Sequence, residues 1–175
     1  MIILFIVLLS IFVLLYLVSL FMGNEMLIER SININKPKSV VFDYLKQTKN
    51  QDQFSVWNMK DPNMNKAYAG VDGTVGFAYS WDSPTDKSVG AGKQTITEIV
   101  EGERIVYNIA FERPMKNVAQ SQFLLKQVSE TETAVTWDFK GPTQFPMNLF
   151  KSVLQNMLGK DIAQSLDNLK KNLEQ

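Results

Sequence analysis

The sequence predicts an α+β fold: an antiparallel sheet that grips one long C-terminal helix, behind a hydrophobic N-terminal helix. Three observations predict it. Between Pro146 and Leu173 the apolar residues recur three and four apart, from Phe150 and Val153 through Leu154, Leu158 and Ile162 to Leu169 and Leu173, the spacing of one helical face. Nearly all of Met26–Lys140 reads as short strands, with large apolar residues alternating with polar or small ones. Ile2–Met22 is apolar on every face, relieved only by Ser10, Tyr16 and Ser19, and no charge occurs before Glu25.

The N-terminal run has the roughly 20 residues with which a helix crosses a hydrocarbon core. A cleaved signal peptide is the competing reading. Against it, no Lys or Arg precedes the run, the run exceeds a usual h-region, and no A-x-A-like site follows. The expected organisation is a transmembrane anchor over residues 1–23 and one folded domain over 24–175. Gly23–Glu25 leaves almost no linker between them. Orientation is weakly signalled: Arg30, Lys36 and Lys38 follow the span but belong to the folded domain.

Met26–Asn35 alternates as a first strand. Pro37 opens a short helix to Lys46 with Val40, Val41, Tyr44 and Leu45 on its apolar face, and proline suits a first turn. Asn50–Trp57 is a second short helix or turn. Six strands follow: Asn65–Ala69, Thr74–Trp81, Gly92–Val100, Arg104–Phe111, Val118–Val128 and Thr133–Lys140. Turns fall at Gly70–Gly73, Glu101-Gly102 and Glu130, and Asp82–Gly90 is a polar loop. In Thr74–Trp81, Val75, Phe77, Tyr79 and Trp81 share one face. The closing helix runs about 39 Å at 1.5 Å per residue. Its wide, drifting apolar stripe suits a curved partner surface.

Composition removes whole classes of function. The chain has 18 basic and 18 acidic residues, so it carries no electrostatic footprint for nucleic acid. It contains neither Cys nor His. That excludes disulfides, a thiol nucleophile, a Ser-His-Asp triad and a His-ligated zinc site. Gly90-Ala91-Gly92-Lys93 is no phosphate loop, because Lys87 and Gln94 stand where Gly and Ser or Thr belong; it reads as a turn entering a strand. The carboxylate pairs Asp82/Asp86, Glu101/Glu103 and Glu130/Glu132 fall in turns, where carboxylates are solvated and poorly suited to acid–base work. Glu98 and Asp138, inside strands, are the better acid–base candidates, although alternation turns Asp138 away from the Trp137 face.

The order of elements resembles the helix-grip fold of the START/Bet v 1-like superfamily, the polyketide cyclase/dehydrase and lipid-transport proteins. The local wording is similar as well: Glu29-Arg30-Ser31-Ile32, Val41-Phe42, Phe54-Ser55-Val56-Trp57, Asp61-Pro62-Asn63-Met64, Gly73…Gly76-Phe77…Tyr79-Ser80-Trp81, Gly90…Gly92, Pro114, Thr136-Trp137 and Gly159-Lys160-Asp161. Phe54 departs from a Trp that is common there. Together these motifs look like a bacterial subgroup in which a transmembrane helix precedes one such domain. The resemblance implies a curved seven-stranded sheet around the long helix with an apolar cavity between them, and a single-pass location in a bacterial cytoplasmic membrane. It supplies no catalytic set.

The candidate ligand-binding residues are the aromatics Trp57, Phe77, Tyr79, Trp81, Tyr107, Phe111, Phe123 and Trp137. Leu154 and Leu158 on the long helix join them. Each taken alone reads better as core filling, since large aromatics dominate cores. As cavity wall they suit a hydrophobic small molecule or lipid. No catalytic residue, metal or cofactor is implied. The expected function is membrane-tethered binding of such a ligand. The alternatives are a cyclase- or dehydratase-like enzyme, which needs a buried Glu98 or a Tyr hydroxyl facing the cavity, and a scaffold, which a cavity under about 300 Å³ favours.

Overall fold

The computed structural model describes residues 1–175. The order is α1 (Ile2–Phe21), β1 (Glu25–Ile34), α2 (Lys38–Lys46), a 3₁₀ turn (Thr48–Asn50), α3 (Gln51–Phe54), α4 (Val56–Met59) and β2 (Asn65–Ala69). Then come β3 (Ala78–Asp82), β4 (Ala91–Val100), β5 (Arg104–Arg113), β6 (Asn117–Ser129), β7 (Glu132–Pro142), a second 3₁₀ turn (Met147–Phe150) and α5 (Lys151–Glu174). The seven strands form one antiparallel sheet in the order β1-β7-β6-β5-β4-β3-β2. The helix-grip architecture is therefore present: an α+β fold with two edges, β1 and β2, and α5 laid against the sheet.

Register places the large side chains in rows. Phe123 stands opposite both Ile105 and Trp137, Ser121 opposite both Tyr107 and Phe139, and Gly92 opposite both Trp81 and Phe111. The main core contains Phe42 and Leu45 of α2, Phe54 of α3, Ile105, Tyr107 and Phe123 of the sheet, and Leu166, Leu169 and Leu173 of α5. Fully burying one such aliphatic or phenyl side chain contributes about 1.5–3 kcal/mol.

Three local findings differ from expectation. The strand expected at Thr74–Trp81 begins only at Ala78. Gly73 and Gly76 adopt φ of +75° and +92°, which turns the chain, and Val75 is exposed instead of sharing a face with Phe77. The segment expected at Asn50–Trp57 is a 3₁₀ turn and two single-turn helices, broken where Ser55 is extended. Asp72, in the β2–β3 turn, fixes its start by accepting the Thr48 and Lys49 backbone N–H groups at 2.8 and 3.1 Å. The long helix is regular from Lys151, after a 3₁₀ turn.

The edge strand β1 is closed by α5. Gln155 donates to the Leu27 carbonyl at 3.0 Å, Lys170 to the Asn33 carbonyl at 2.5 Å, and Glu174 accepts the Asn35 N–H at 2.6 Å. These bonds occupy backbone groups that an edge leaves unpaired. Gly159 lets Arg30 of β1 pass over the helix; a Cβ there would run into the guanidinium.

Candidate ligand-binding site

Continuous with one end of the packed core, the same sheet face and the middle of α5 leave a cavity of about 290 Å³. Its floor is aromatic and aliphatic: Trp81 of β3, Ile109 and Phe111 of β5, Trp137 and Phe139 of β7, with Leu158 and Ile162 of α5 above. Trp57 of α4 closes one side. The rim comes from chain reversals at one end of the sheet: Val89 before β4, Pro114 and Met115 between β5 and β6, and Pro142 with Met26. The three tryptophans of the chain all line this space.

Glycine makes part of that room. Gly92 sits directly under the Trp81 ring, and a Cβ there would stand 2.6 Å from the indole and 2.7 Å from the Ala110 carbonyl. Trp81 keeps its orientation by donating its indole N–H to the Val89 carbonyl at 3.2 Å. Trp137 donates to the Ser121 hydroxyl at 2.8 Å, and Ser121 in turn donates to the Asp138 carbonyl at 2.9 Å. Ser165 accepts the Val56 N–H and donates to the Asp161 carbonyl. Asp161, the one carboxylate on the lining, pairs with Lys60 at 2.8 Å, and Lys60 lies 4.9 Å over the Trp57 ring. At the rim Arg113 pairs with Asp82, and Asn117 donates to the Pro142 carbonyl at 3.1 Å. These polar groups are spent on one another, so a molecule inside meets mainly ring faces and aliphatic surface.

Of the candidate residues, Trp57, Trp81, Phe111, Trp137 and Leu158 come together at the cavity. Phe77, Tyr79, Tyr107 and Phe123 lie in the packed core instead. Leu154 is half-exposed on α5 and is not among the lining residues. The buried tyrosines are satisfied inside the core: the Tyr107 hydroxyl lies 3.5 Å from the Leu45 carbonyl and that of Tyr79 lies 3.8 Å from the Met64 sulfur. Burial pushes both phenols up, and the Asp52 charge pushes Tyr79 further in the same direction. Glu98 lies at a register shift in β4, exposed and paired with Arg104 at 2.5 Å. Asp138 takes the Gln122 amide at 2.5 Å on the face opposite the cavity; burial raises its pKa.

One residue escaped sequence reasoning. Asp61, 5% exposed, accepts the Ser83 hydroxyl at 2.5 Å, the Asn63 N–H at 2.9 Å and the Thr85 hydroxyl at 3.2 Å. Ser83 first, then the Asn63 amide, holds its carboxyl below the usual carboxylate range. The clamp ties the α4–β2 connection to the loop that brings Ser88 and Val89 to the cavity. The sequence shows it only as Asp61-Pro62-Asn63-Met64, part of the family-like wording and an ordinary turn, with no sign of its partners.

The family described as polyketide cyclase / dehydrase and lipid transport matches residues 26–174. The chain belongs to this family. Solved structures share the fold at low identity. A protein from Chromobacterium violaceum is 15% identical with a TM-score of 0.61, over 85% of this chain and 97% of that one. Norcoclaurine synthase from Thalictrum flavum, solved with dopamine and hydroxybenzaldehyde, is 9% identical with a TM-score of 0.65, over 85% and 86% of the two chains. A Thermobifida fusca protein is 16% identical with a TM-score of 0.57, over 84% and 92%. No curated protein sequence matches the chain.

Proposed function

We propose that the protein binds a hydrophobic small molecule or a lipid acyl chain in the cavity beneath α5, while α1 tethers it to a membrane. The observation that carries this reading is the lining: all three tryptophans and a set of aliphatic side chains face one space, and the polar groups beside them are already paired. At about 290 Å³ the space falls just under the roughly 300 Å³ at which small-molecule sites begin, the side of that line that favours a scaffold, so the lining and not the volume supports a ligand. One chain or ring system suits it better than a bulky ligand. The family's association with lipid transport supports the ligand class, and the similar fold of norcoclaurine synthase accommodates small ring-bearing molecules. Tethering is supported by α1, which is long and apolar enough to cross a bilayer.

Because every tryptophan lines the cavity, selectively excited tryptophan emission reports on it. With the full chain in detergent, a fatty acid brominated near the methyl end should quench the emission saturably, and a soluble brominated acid of two carbons should not. Equal quenching by both, or none by either, would remove the ligand reading. Alkaline carbonate washing of membranes tests the tether: release of the protein, or a mature N-terminus near residue 23, would leave a secreted binding protein.

A further inference from the structure

The apolar stripe of α5 does two different things along its length. Leu166, Leu169 and Leu173 are buried in the core. Phe150, Val153 and Met157, at spacings of three and four on one side of the first two turns, are 56%, 65% and 52% exposed. They border the arc on which Leu158 faces the cavity. Met115, on the rim of that cavity, is 56% exposed and stands between the Arg113-Pro114 pair and Lys116. An apolar face rimmed by polar residues marks an interaction surface.

What covers this face follows from where α1 lies. The turn that leads into α5, Phe145–Phe150, is apolar at five of its six positions. Its one polar residue, Asn148, is turned inward and 1% exposed, and it donates to the Ser19 carbonyl in the last turn of α1 at 2.9 Å. Phe145 packs edge-on against Phe12 and Tyr16 of α1, with ring centroids 5.5 Å away in both cases. Those two residues lie six and ten positions before Met22, about 9–15 Å along the helix at 1.5 Å per residue. A side chain at that height beside a spanning helix lies within a hydrocarbon core about 30 Å thick.

We propose that the Phe145–Phe150 turn, the Phe150/Val153/Met157 face of α5 and Met115 sink into the acyl layer of the phospholipid bilayer beside α1, so that the cavity rim opens to lipid and not to water. The proposal rests on the tether reading and adds to it a place for the domain. A tethered domain need only touch the headgroups; this one is immersed at its cavity end. Lys151 at the start of α5 carries its ammonium beside Gly23, just past the end of α1; in this placement it meets the headgroups, where cations are favoured by anionic lipid.

The native chain has no cysteine, so single-cysteine variants carry one nitroxide each. The full chain is placed in vesicles of phosphatidylcholine with phosphatidylglycerol. Accessibility to oxygen and to a water-soluble nickel chelate is then read at Val153→Cys and Met157→Cys, at Gln164→Cys higher on α5, and at Leu9→Cys inside α1. We expect labels at 153 and 157 to favour oxygen over nickel several-fold, as at 9, and the label at 164 to favour nickel. Nickel preference at 153 and 157 with oxygen preference at 9 overturns the immersion and leaves the tether standing. Nickel preference at all four overturns the tether reading itself. Low access to both reagents at 153 and 157, with spin–spin broadening between labels, assigns the face to a second copy of the chain and also overturns the proposal.

Discussion

Gly92 shows how much of this site depends on single atoms. It lies beneath Trp81 and beside the Ala110 carbonyl, with no space for a methyl group. Gly92→Ala should destabilise the full chain by about 1–3 kcal/mol, the usual cost of overpacking. It should also shift tryptophan emission, because the ring it displaces lines the cavity. Chemical denaturation followed by fluorescence checks both, and an unchanged midpoint and spectrum would mean that the ring has room to move. Asp61 gives a pH signature. Its folded-state pKa lies below the unfolded value near 3.9. The stabilisation it provides is therefore complete above that value and is lost as pH falls through the folded pKa. Asp61→Ala should lower Tm at pH 7, and its gap to the native chain should narrow as pH falls below the unfolded value; a gap that stays constant through acid titration would contradict the clamp. Alternation in the sequence is enough to show which aromatic residues share the inner face, but not which of them meet empty space. Phe123 and Trp137 are cross-strand partners with ring centroids 4.7 Å apart, yet Phe123 is fully buried and Trp137 lines the cavity. The difference lies in where α5 crosses above them, which no local pattern encodes. Asp61 was invisible for a related reason: its partners Ser83 and Thr85 are more than twenty residues away.

Among the elements, α5 was the most legible from sequence and also the most misleading. Its 3.6-residue periodicity predicts a helix, but it treats every apolar position as one face against one partner. The structure divides that face between core, cavity and an uncovered surface. Leu169 is fully buried, and Leu169→Ala should cost about 2–5 kcal/mol. Val153 is exposed, and Val153→Ser should stay within roughly ±0.5 kcal/mol in detergent. Thermal unfolding of the two variants decides it: similar losses would place Val153 in the core and remove the surface on which immersion depends. In β3 the alternation of Val75, Phe77, Tyr79 and Trp81 overrode the glycines at 73 and 76, and the expected strand came out too long. There the left-handed backbone of two glycines outweighs side-chain pattern.

At the scale of the whole molecule, strand count, the run of hairpins from β2 to β7 and the gripped helix were readable, because each hairpin carries its own turn and the closing helix its own period; the pairing of β1 with β7, which no hairpin joins, was not. The join between α1 and the domain was not. Asn148, Asn24 and Thr143 gather there: Asn148 donates to the Ser19 carbonyl, and the Thr143 N–H donates to the Asn24 carbonyl at 2.8 Å. In sequence these are scattered polar residues in apparent linkers. In the structure they set α1 against the cavity end of the sheet, and on the proposed tether reading a lipid-like ligand is the occupant to test. The most direct test of that occupant is native mass spectrometry of the full chain released from lipid nanodiscs, beside a Leu158→Trp variant whose larger ring fills the cavity. The native chain should fly with a discrete hydrophobic adduct, and the variant should keep its fold and lose most of that adduct. A bare native chain, or an adduct equally abundant in a folded Leu158→Trp protein, would contradict a ligand-holding cavity.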